Sequence, residues 1–128
     1  MSEEILFKAK RKDNGEWVEG YIVHIKGTEL YYIFTGQLDL KNIQPSFSRY
    51  EVKKDTICRF SGVHDSYGKK IWEYDKCCIT RPCAWTYGVV KFLEGCFCIV
   101  EDNTGSILRL CDYQKNNYDI RVKGNIYD

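Results

Sequence analysis

The sequence predicts an all-β protein. Ile and Val together number 20 and aromatic residues 19, whereas Ala and Leu together number only 9. Branched and aromatic side chains suit strands, while Ala and Leu are the apolar residues of helical proteins. No stretch longer than ten residues has the apolar spacing of a helix face. Short alternating segments separated by Gly, Asn and Asp turns are typical of antiparallel strands instead.

The first region, residues 5–34, is predicted to be an antiparallel β-meander. Residues 5–11 alternate apolar and basic side chains, as a half-buried strand does. Asn14-Gly15 follows, and this pair tolerates the positive φ that a tight hairpin turn needs. Residues 17–25 and 30–34 then supply the second and third strands.

Residues 35–69 are predicted to be an irregular connector with short strands, because Gln44-Pro45-Ser46 interrupts any regular element. Residues 70–124 read as five short strands with tight turns, which indicates a small SH3-like barrel, closed or partly open, packed with the meander. A chain of 128 residues is typical of one domain, so we expect residues 1–128 to form a single domain.

Charge and hydropathy argue against several classes of function. With 19 Lys and Arg against 18 Asp and Glu, the formal charge is +1, so the sequence lacks the basic surplus that usually marks nucleic-acid and anionic-membrane binders. No apolar run approaches the ~18 residues of a membrane span, and Ser2-Glu3-Glu4 does not resemble a signal peptide. We therefore expect a cytoplasmic protein that does not bind membranes.

The seven cysteines raise the question of a metal site. Their number is odd and no export signal is visible, so a disulfide framework is not expected. A zinc site would use two half-sites, made of Cys77, Cys78 and Cys83 and of Cys96 and Cys98. Structural zinc usually needs Cys-x₂₋₄-Cys, which only Cys78 and Cys83 meet. We favour thiols that fill the barrel interior, and we predict no metal and no cofactor.

Two carboxylates and two histidines are the other candidates for chemistry. Glu73 and Asp75 could act as metal ligands or an acid–base pair, but a turn in which Asp75 accepts backbone N–H bonds is the favoured interpretation. His64 stands next to Asp65, which could orient its ring for catalysis. A solvated loop histidine is favoured, and His24 is expected to be partly buried and hydrogen-bonded. We predict no catalytic residue and no enzymatic activity.

Several segments together resemble the YopX family of phage and prophage proteins. They are Leu6-Phe7-Lys8-Ala9, Trp17-Val18-Glu19-Gly20-Tyr21, the long run from Arg59 to Asp75, and the closing Gly124-Asn125-Ile126-Tyr127-Asp128. The resemblance implies a mainly β protein in a bacterial host cell, with no established biochemical activity. The family has Gly where this chain has Tyr74, and we expect the turn to be rebuilt locally, because Tyr is disfavoured at positive φ.

We therefore expect a non-enzymatic, phage- or prophage-derived accessory factor that associates with itself as a homo-oligomer or binds a host or phage protein. Nineteen aromatic residues exceed what a core of this size needs, and exposed aromatic residues mark interfaces. The alternative is a nucleic-acid-binding barrel, since basic and aromatic residues cluster along the chain. The candidate surface residues are Tyr67, Lys69, Lys70, Trp72 and Trp85.

Overall fold

A computed structural model describes residues 6–39, 44–113 and 118–128. By its internal contacts the chain divides into two compact units, Met1–Arg59 and Phe60–Asp128. All strand pairings are antiparallel, and these described ranges contain no α-helix, so none that could cross a membrane. The strands are β1 (Phe7–Lys10), β2 (Trp17–His24), β3 (Tyr31–Asp39), β4 (Gln44–Glu51), β5 (Cys58–His64), β6 (Lys70–Trp72), β7 (Asp75–Arg81), β8 (Ala84–Leu93), β9 (Cys96–Glu101), β10 (Ile107–Arg109) and β11 (Asp119–Asn125).

The first unit confirms the predicted meander, apart from residue 5, which lies outside the described residues. Its strands run in the order β4-β3-β2-β1, and the first two residues of β5 pair with β1. Gly15 in the β1–β2 turn has φ of 73°, as the Asn-Gly turn predicts. Ala9, Ile33 and Val52 form the buried core of this unit.

The predicted connector is partly wrong, because residues 35–39 and 44–51 belong to a long hairpin. β3 and β4 pair from Tyr32 opposite Glu51 to Asp39 opposite Gln44. Pro45 does not interrupt β4, since this strand ends the strand order and so its outer side needs no ladder hydrogen bond. Residues 40–43 of the predicted connector lie outside the described residues.

The second unit contains an open sheet where the sequence predicts an SH3-like barrel. The strands run in the order β10-β9-β8-β7-β11, and no pairing in the described part of the chain joins β10 to β11. β10 has only three residues and leads directly into a 3₁₀ turn at Leu110–Asp112, so it offers little edge for closure. The rest of β5 pairs with β6 in a separate hairpin.

One face of the five-stranded sheet carries the core of the second unit. Ile79, Val90, Ile99 and Ile120 are fully buried there. Gly88 lets β8 and β9 approach closely, because a Cβ at this position would lie 2.5 Å from Ile99 Cγ2. The other buried members are Ile71, Cys77, Leu108, Leu110, Tyr113 and Val122. We call the opposite side of this sheet the outer face.

The buried carboxylate of Asp65 fastens the β5–β6 loop to the edge of the sheet. Its Oδ1 accepts the backbone N–H groups of Tyr67 and Lys69, both at 2.9 Å, and its Oδ2 accepts that of Val122 in β11 at 3.0 Å. Burial raises the pKa of Asp65, but these three donors and the Lys69 charge outweigh burial and lower it overall. The ionised carboxylate therefore stabilises the fold.

Ser66 completes the cover over β11. Its Oγ accepts the N–H of Ile120 at 2.9 Å, and its own N–H donates to the carbonyl of Ile120, also at 2.9 Å. The loop thus takes the hydrogen-bonding positions that another strand would use. Because backbone groups on the outer side of β11 are already hydrogen-bonded to this loop, no further strand can pair there, and the sheet ends at β11.

A second set of buried hydrogen bonds joins the β6–β7 turn to the C-terminal segment. Asp75 Oδ2 accepts the N–H of Trp72 at 2.8 Å, and its Oδ1 accepts Nδ2 of Asn125 at 2.9 Å. The same Asn125 amide donates to the carbonyl of Glu73 at 3.2 Å. The N–H of Asn125 in turn donates to Asp128 Oδ2 at 2.8 Å. Asp75 therefore has the turn-fixing role predicted for it.

Tyr74 keeps the positive φ that a glycine would adopt, so the expected local rebuilding of this turn is wrong. Its φ is 70°. Its N–H donates to the carbonyl of Val90 at 2.8 Å, and its own carbonyl accepts the N–H of Ile126 at 3.0 Å. Its ring meets Tyr127 edge-on, with centroids 5.6 Å apart. Two backbone hydrogen bonds and a ring contact hold the disfavoured conformation.

Replacing Tyr74 tests the cost of this conformation. Tyr74→Ala and Tyr74→Gly both lose the ring, but only Gly relieves the positive φ, so we expect Tyr74→Gly to be about 1 kcal/mol more stable than Tyr74→Ala. Urea unfolding measures the difference. Thr80→Gly and Thr80→Ala provide the control on an exposed strand position, where the order should reverse. An equal stability of the two Tyr74 variants would contradict the backbone explanation.

Replacing Asp65 tests the loop attachment. Asp65→Asn should lower the free energy of unfolding by about 2 kcal/mol at pH 7, because an amide cannot accept all three N–H groups. The lowered pKa means that this contribution is present above the ordinary Asp pKa of about 3.9 and is lost as pH falls below it. Urea unfolding at several pH values between 7 and 3 should show that the difference in free energy of unfolding between Asp65→Asn and the parent decreases as the pH falls. Asp102→Asn, in an exposed turn, should change stability by less than about 0.5 kcal/mol.

Candidate functional site

Asp75, one of the two carboxylates considered for catalysis, and Asp65, considered as the partner of His64, are occupied by structural bonds, while the other candidate, Glu73, is buried. Both oxygens of Asp75 accept hydrogen bonds within the fold, and so do both oxygens of Asp65. His64 is exposed, and its ring meets Phe60 edge-on with centroids 5.6 Å apart. Asp65 therefore bonds backbone N–H groups instead of orienting the His64 ring.

His24 is hydrogen-bonded, as predicted, but it is exposed and not partly buried. Its Nε2 lies 2.8 Å from the carbonyl of Thr28. Its ring stacks on Tyr31, the residue directly opposite in β3, with centroids 4.2 Å apart. These two contacts hold the imidazole at the end of strand β2, outside the buried core of the first unit.

The cysteines considered for zinc are dispersed over three environments. Cys77 lies in the core, where burial raises the pKa of its thiol, and Cys83 is exposed in the β7–β8 turn. Cys78, Cys96 and Cys98 alternate with core residues and so belong to the outer face. In the described ranges, no group of three or more His, Cys, Asp or Glu residues is placed to hold a metal ion.

Cys96 and Cys98 line a cleft on the outer face, so the prediction that they fill a barrel interior is wrong. The cleft has a volume of about 330 Å³, and its other lining residues are Leu93, Glu94, Ile107 and Arg109. Burial raises the pKa of Cys98, with a smaller contribution from the neighbouring Cys96. A thiol with a raised pKa is mostly protonated at neutral pH, so Cys98 is poorly suited to act as a nucleophile.

The five residues predicted to form an interaction surface separate in the structure. Trp72 is only 5% exposed and packs against Phe60 with ring centroids 5.4 Å apart, so it cannot belong to an exposed surface. Lys70 is half-buried, with its Nζ 5.8 Å from the Phe60 ring. Lys69 is exposed in the β5–β6 turn. Tyr67 and Trp85 are 65% and 63% exposed.

Tyr67 and Trp85 lie near the outer face, where a third aromatic residue joins them. Trp85 and Tyr87 are neighbours on β8 and meet edge-to-face, with ring centroids 5.4 Å apart. Tyr67 reaches β11, where the Arg121 guanidinium lies 5.0 Å from its ring and Asp119 Oδ2 lies 3.4 Å from its hydroxyl. These contacts orient three exposed aromatic rings on one surface. Tyr87 is not among the surface residues predicted from the sequence, because strand aromatics are usually buried.

Positive charge accumulates on the same face. Alternation along the strands places Lys76, Lys91, Arg109 and Arg121 on this side. The carboxylates near these four cations are Asp119 at the edge, Glu94 at the cleft and Asp112, which pairs with Arg109 at 3.3 Å. The outer face therefore combines aromatic rings with cations, of which Lys76, Lys91 and Arg121 are not in the ion pairs of the described residues.

The first unit exposes a different kind of surface, which we call the meander face. Tyr21, Val23 and Ile25 follow one another at alternate positions from β2 onward and are all exposed. The half-buried Phe34 lies directly opposite Tyr21, and the half-buried Tyr32 directly opposite Val23. Strand β2 carries apolar residues on both of its faces, so the alternation of its sequence does not indicate which face packs on the core.

Charged residues border the meander face on β4. Arg49 lies opposite Phe34, and Glu51 lies opposite Tyr32. The Arg49 guanidinium is 5.7 Å from the Tyr32 ring, and Glu51 pairs with Lys12 at 2.7 Å. An apolar centre with a charged border is the usual arrangement of a protein interface.

Comparison with known proteins identifies the family. The family of the YopX protein matches residues 6–128, nearly the whole chain. A search of curated proteins gives no significant match. The matched range includes both hydrogen-bonded attachments, the one around Asp65 and the one that joins Asp75 to Asn125. The chain belongs to the YopX family.

Proposed function

We propose that this protein is a non-enzymatic, phage-derived accessory factor in the bacterial cytoplasm, and that it associates with a second copy of itself through the meander face. The observation that carries the proposal is the exposed apolar row of Tyr21, Val23 and Ile25. Soluble monomers rarely leave a contiguous apolar patch in water, and such patches mark interaction sites.

The border of the meander face favours a second copy over an unrelated partner. A two-fold interface brings the same patch of both subunits together, so the patch must complement itself. Arg49 and Glu51 are two residues apart on β4, about 7 Å along the strand. If the two-fold axis of a dimer passes between these two positions, each Arg49 lies beside Glu51 of the other subunit. The apolar residues of the two meander faces then meet at the centre of the interface.

The absence of enzymatic activity is part of the same proposal. Asp65 and Asp75 are committed to backbone and amide donors, and the pKa of the Cys98 thiol is raised. These groups serve the fold or line a cleft, whereas a general acid, base or nucleophile needs a free reactive atom and a pKa near the working pH. Binding is the activity that the exposed surfaces support best.

A charge placed in the apolar row tests the interface. Val23→Lys puts two unpaired ammonium groups into a two-fold contact, so the dissociation constant of the oligomer should rise by at least about tenfold. Ile126→Lys is the matched control, because Val23 and Ile126 are both 42% exposed and Ile126 lies in the second unit. Native mass spectrometry and light scattering at matched concentrations measure the subunit number.

The expected result is an oligomeric parent, an oligomeric Ile126→Lys variant and a monomeric Val23→Lys variant. A parent protein that is monomeric at every concentration would contradict self-association. A Val23→Lys variant that stays oligomeric would exclude the meander face as the interface. Capture of a defined host or phage protein by a monomeric parent, lost in Val23→Lys, would assign the face to that partner instead.

A further inference from the structure

We propose that the outer face of the second unit binds single-stranded nucleic acid, an activity separate from self-association through the meander face. The ligand is recognised by its chemistry: flat bases that stack on exposed rings, and phosphates that contact lysine and arginine. The proposal rests on two features of the outer face, which are its exposed aromatic rings and its cations.

The aromatic rings form a platform at one end of the sheet. Trp85 and Tyr87 are two positions apart on β8, about 7 Å along the strand. Cys78 lies opposite Tyr87, and Arg121 lies opposite Cys78, so the ring of Tyr67 over Arg121 stands about two strand spacings, or ~10 Å, from Tyr87. Exposed rings with fixed orientations are the feature on which successive bases of a single strand stack.

The cations continue the platform toward the cleft. Lys76 lies opposite Val89 on the outer face, and Lys91 follows two residues farther along β8. The ion pairs of the described residues include neither lysine. Arg121, Lys76 and Lys91 are therefore three cations available for phosphate contacts. They lie on the successive strands β11, β7 and β8, between the Tyr67 ring and the cleft that Arg109 lines. Backbone phosphates are the anions that such a line of charge attracts.

The combination of rings and cations distinguishes nucleic acid from an acidic peptide. Carboxylates would pair with Lys76 and Lys91 but would make no use of three exposed rings. The described residues also include no α-helix that could enter a duplex groove, whereas unstacked bases can lie directly on the exposed rings. The formal charge of +1 does not contradict the proposal, because the charge that matters is local to this face.

Salt dependence tests the phosphate contacts. A labelled thymidine oligonucleotide of about 12 nucleotides, followed by fluorescence anisotropy, is the probe. Three phosphate contacts on a single strand predict a slope of about −2 in log K against log salt, so affinity should fall about 20-fold between about 50 and 200 mM salt. Lys91→Gln should make the slope shallower by about 0.7, while Lys26→Gln, in an exposed turn of the first unit, should leave it unchanged.

Ring substitutions test stacking. Trp85→Ala should weaken binding about tenfold or more, while Trp85→Phe, which keeps a flat ring, should retain most of the affinity. Tyr67→Ala should also weaken binding, and Tyr21→Ala is its matched control, since Tyr67 and Tyr21 are 65% and 60% exposed. Because the meander face takes no part, the Val23→Lys variant should bind the oligonucleotide as the parent does.

Several outcomes would overturn the proposal. They are no binding at about 50 mM salt, equal affinity for a duplex of the same length, or equal loss in Tyr67→Ala and Tyr21→Ala. Tight binding of a polyglutamate peptide that the ring substitutions do not affect would assign the face to an acidic protein instead. A loss of affinity in Val23→Lys would place the ligand on the first unit. Unchanged urea unfolding of each variant ensures that a loss of binding reports the surface and not the fold.

Discussion

The second unit depends on one buried carboxylate. Asp65 binds two N–H groups of its own loop and one of β11, so a single side chain both shapes the turn and attaches it to the edge of the sheet. Charge-assisted hydrogen bonds are strong enough to offset the burial of the charge. With this edge covered, the sheet stays open, and its outer face exposes the rings of Trp85 and Tyr87.

The residues that carry the family resemblance are mostly those that hold the fold together. The run that ends at Glu73-Tyr74-Asp75 and the closing segment from Gly124 to Asp128 bind each other through Asn125. Such residues identify a family but carry no information on its ligand. Of the residues that form the exposed surfaces, Trp85, Tyr87, Val23 and Ile25 lie outside the segments on which the resemblance rests, whereas Tyr21 and Tyr67 lie inside them.

The two exposed faces differ in chemistry, and this contrast separates their proposed partners. The meander face has an apolar centre bordered by charges of both signs, as expected of a contact between like subunits. The outer face has oriented rings among cations, which suits an anionic ligand with flat groups. Each face belongs to one unit, so substitutions on one face can be compared directly with substitutions on the other.

Local physics determined what could be predicted from the sequence: the all-β class, the Asn14-Gly15 turn and the turn-fixing role of Asp75 follow from side-chain shape and hydrogen bonding within a few residues. Tertiary structure decided the rest. Alternation along a strand shows that Tyr21 and Val23 share one face, and that Cys96 and Cys98 share one face. It does not show which face is buried, because both faces of these strands carry apolar residues and the choice depends on the rest of the structure. The contacts of Asp65 with Val122 and of Asp75 with Asn125 join residues at least fifty positions apart. The attachment of the Asp65 loop to β11 and the short β10 leave the sheet open where local signals indicated a barrel.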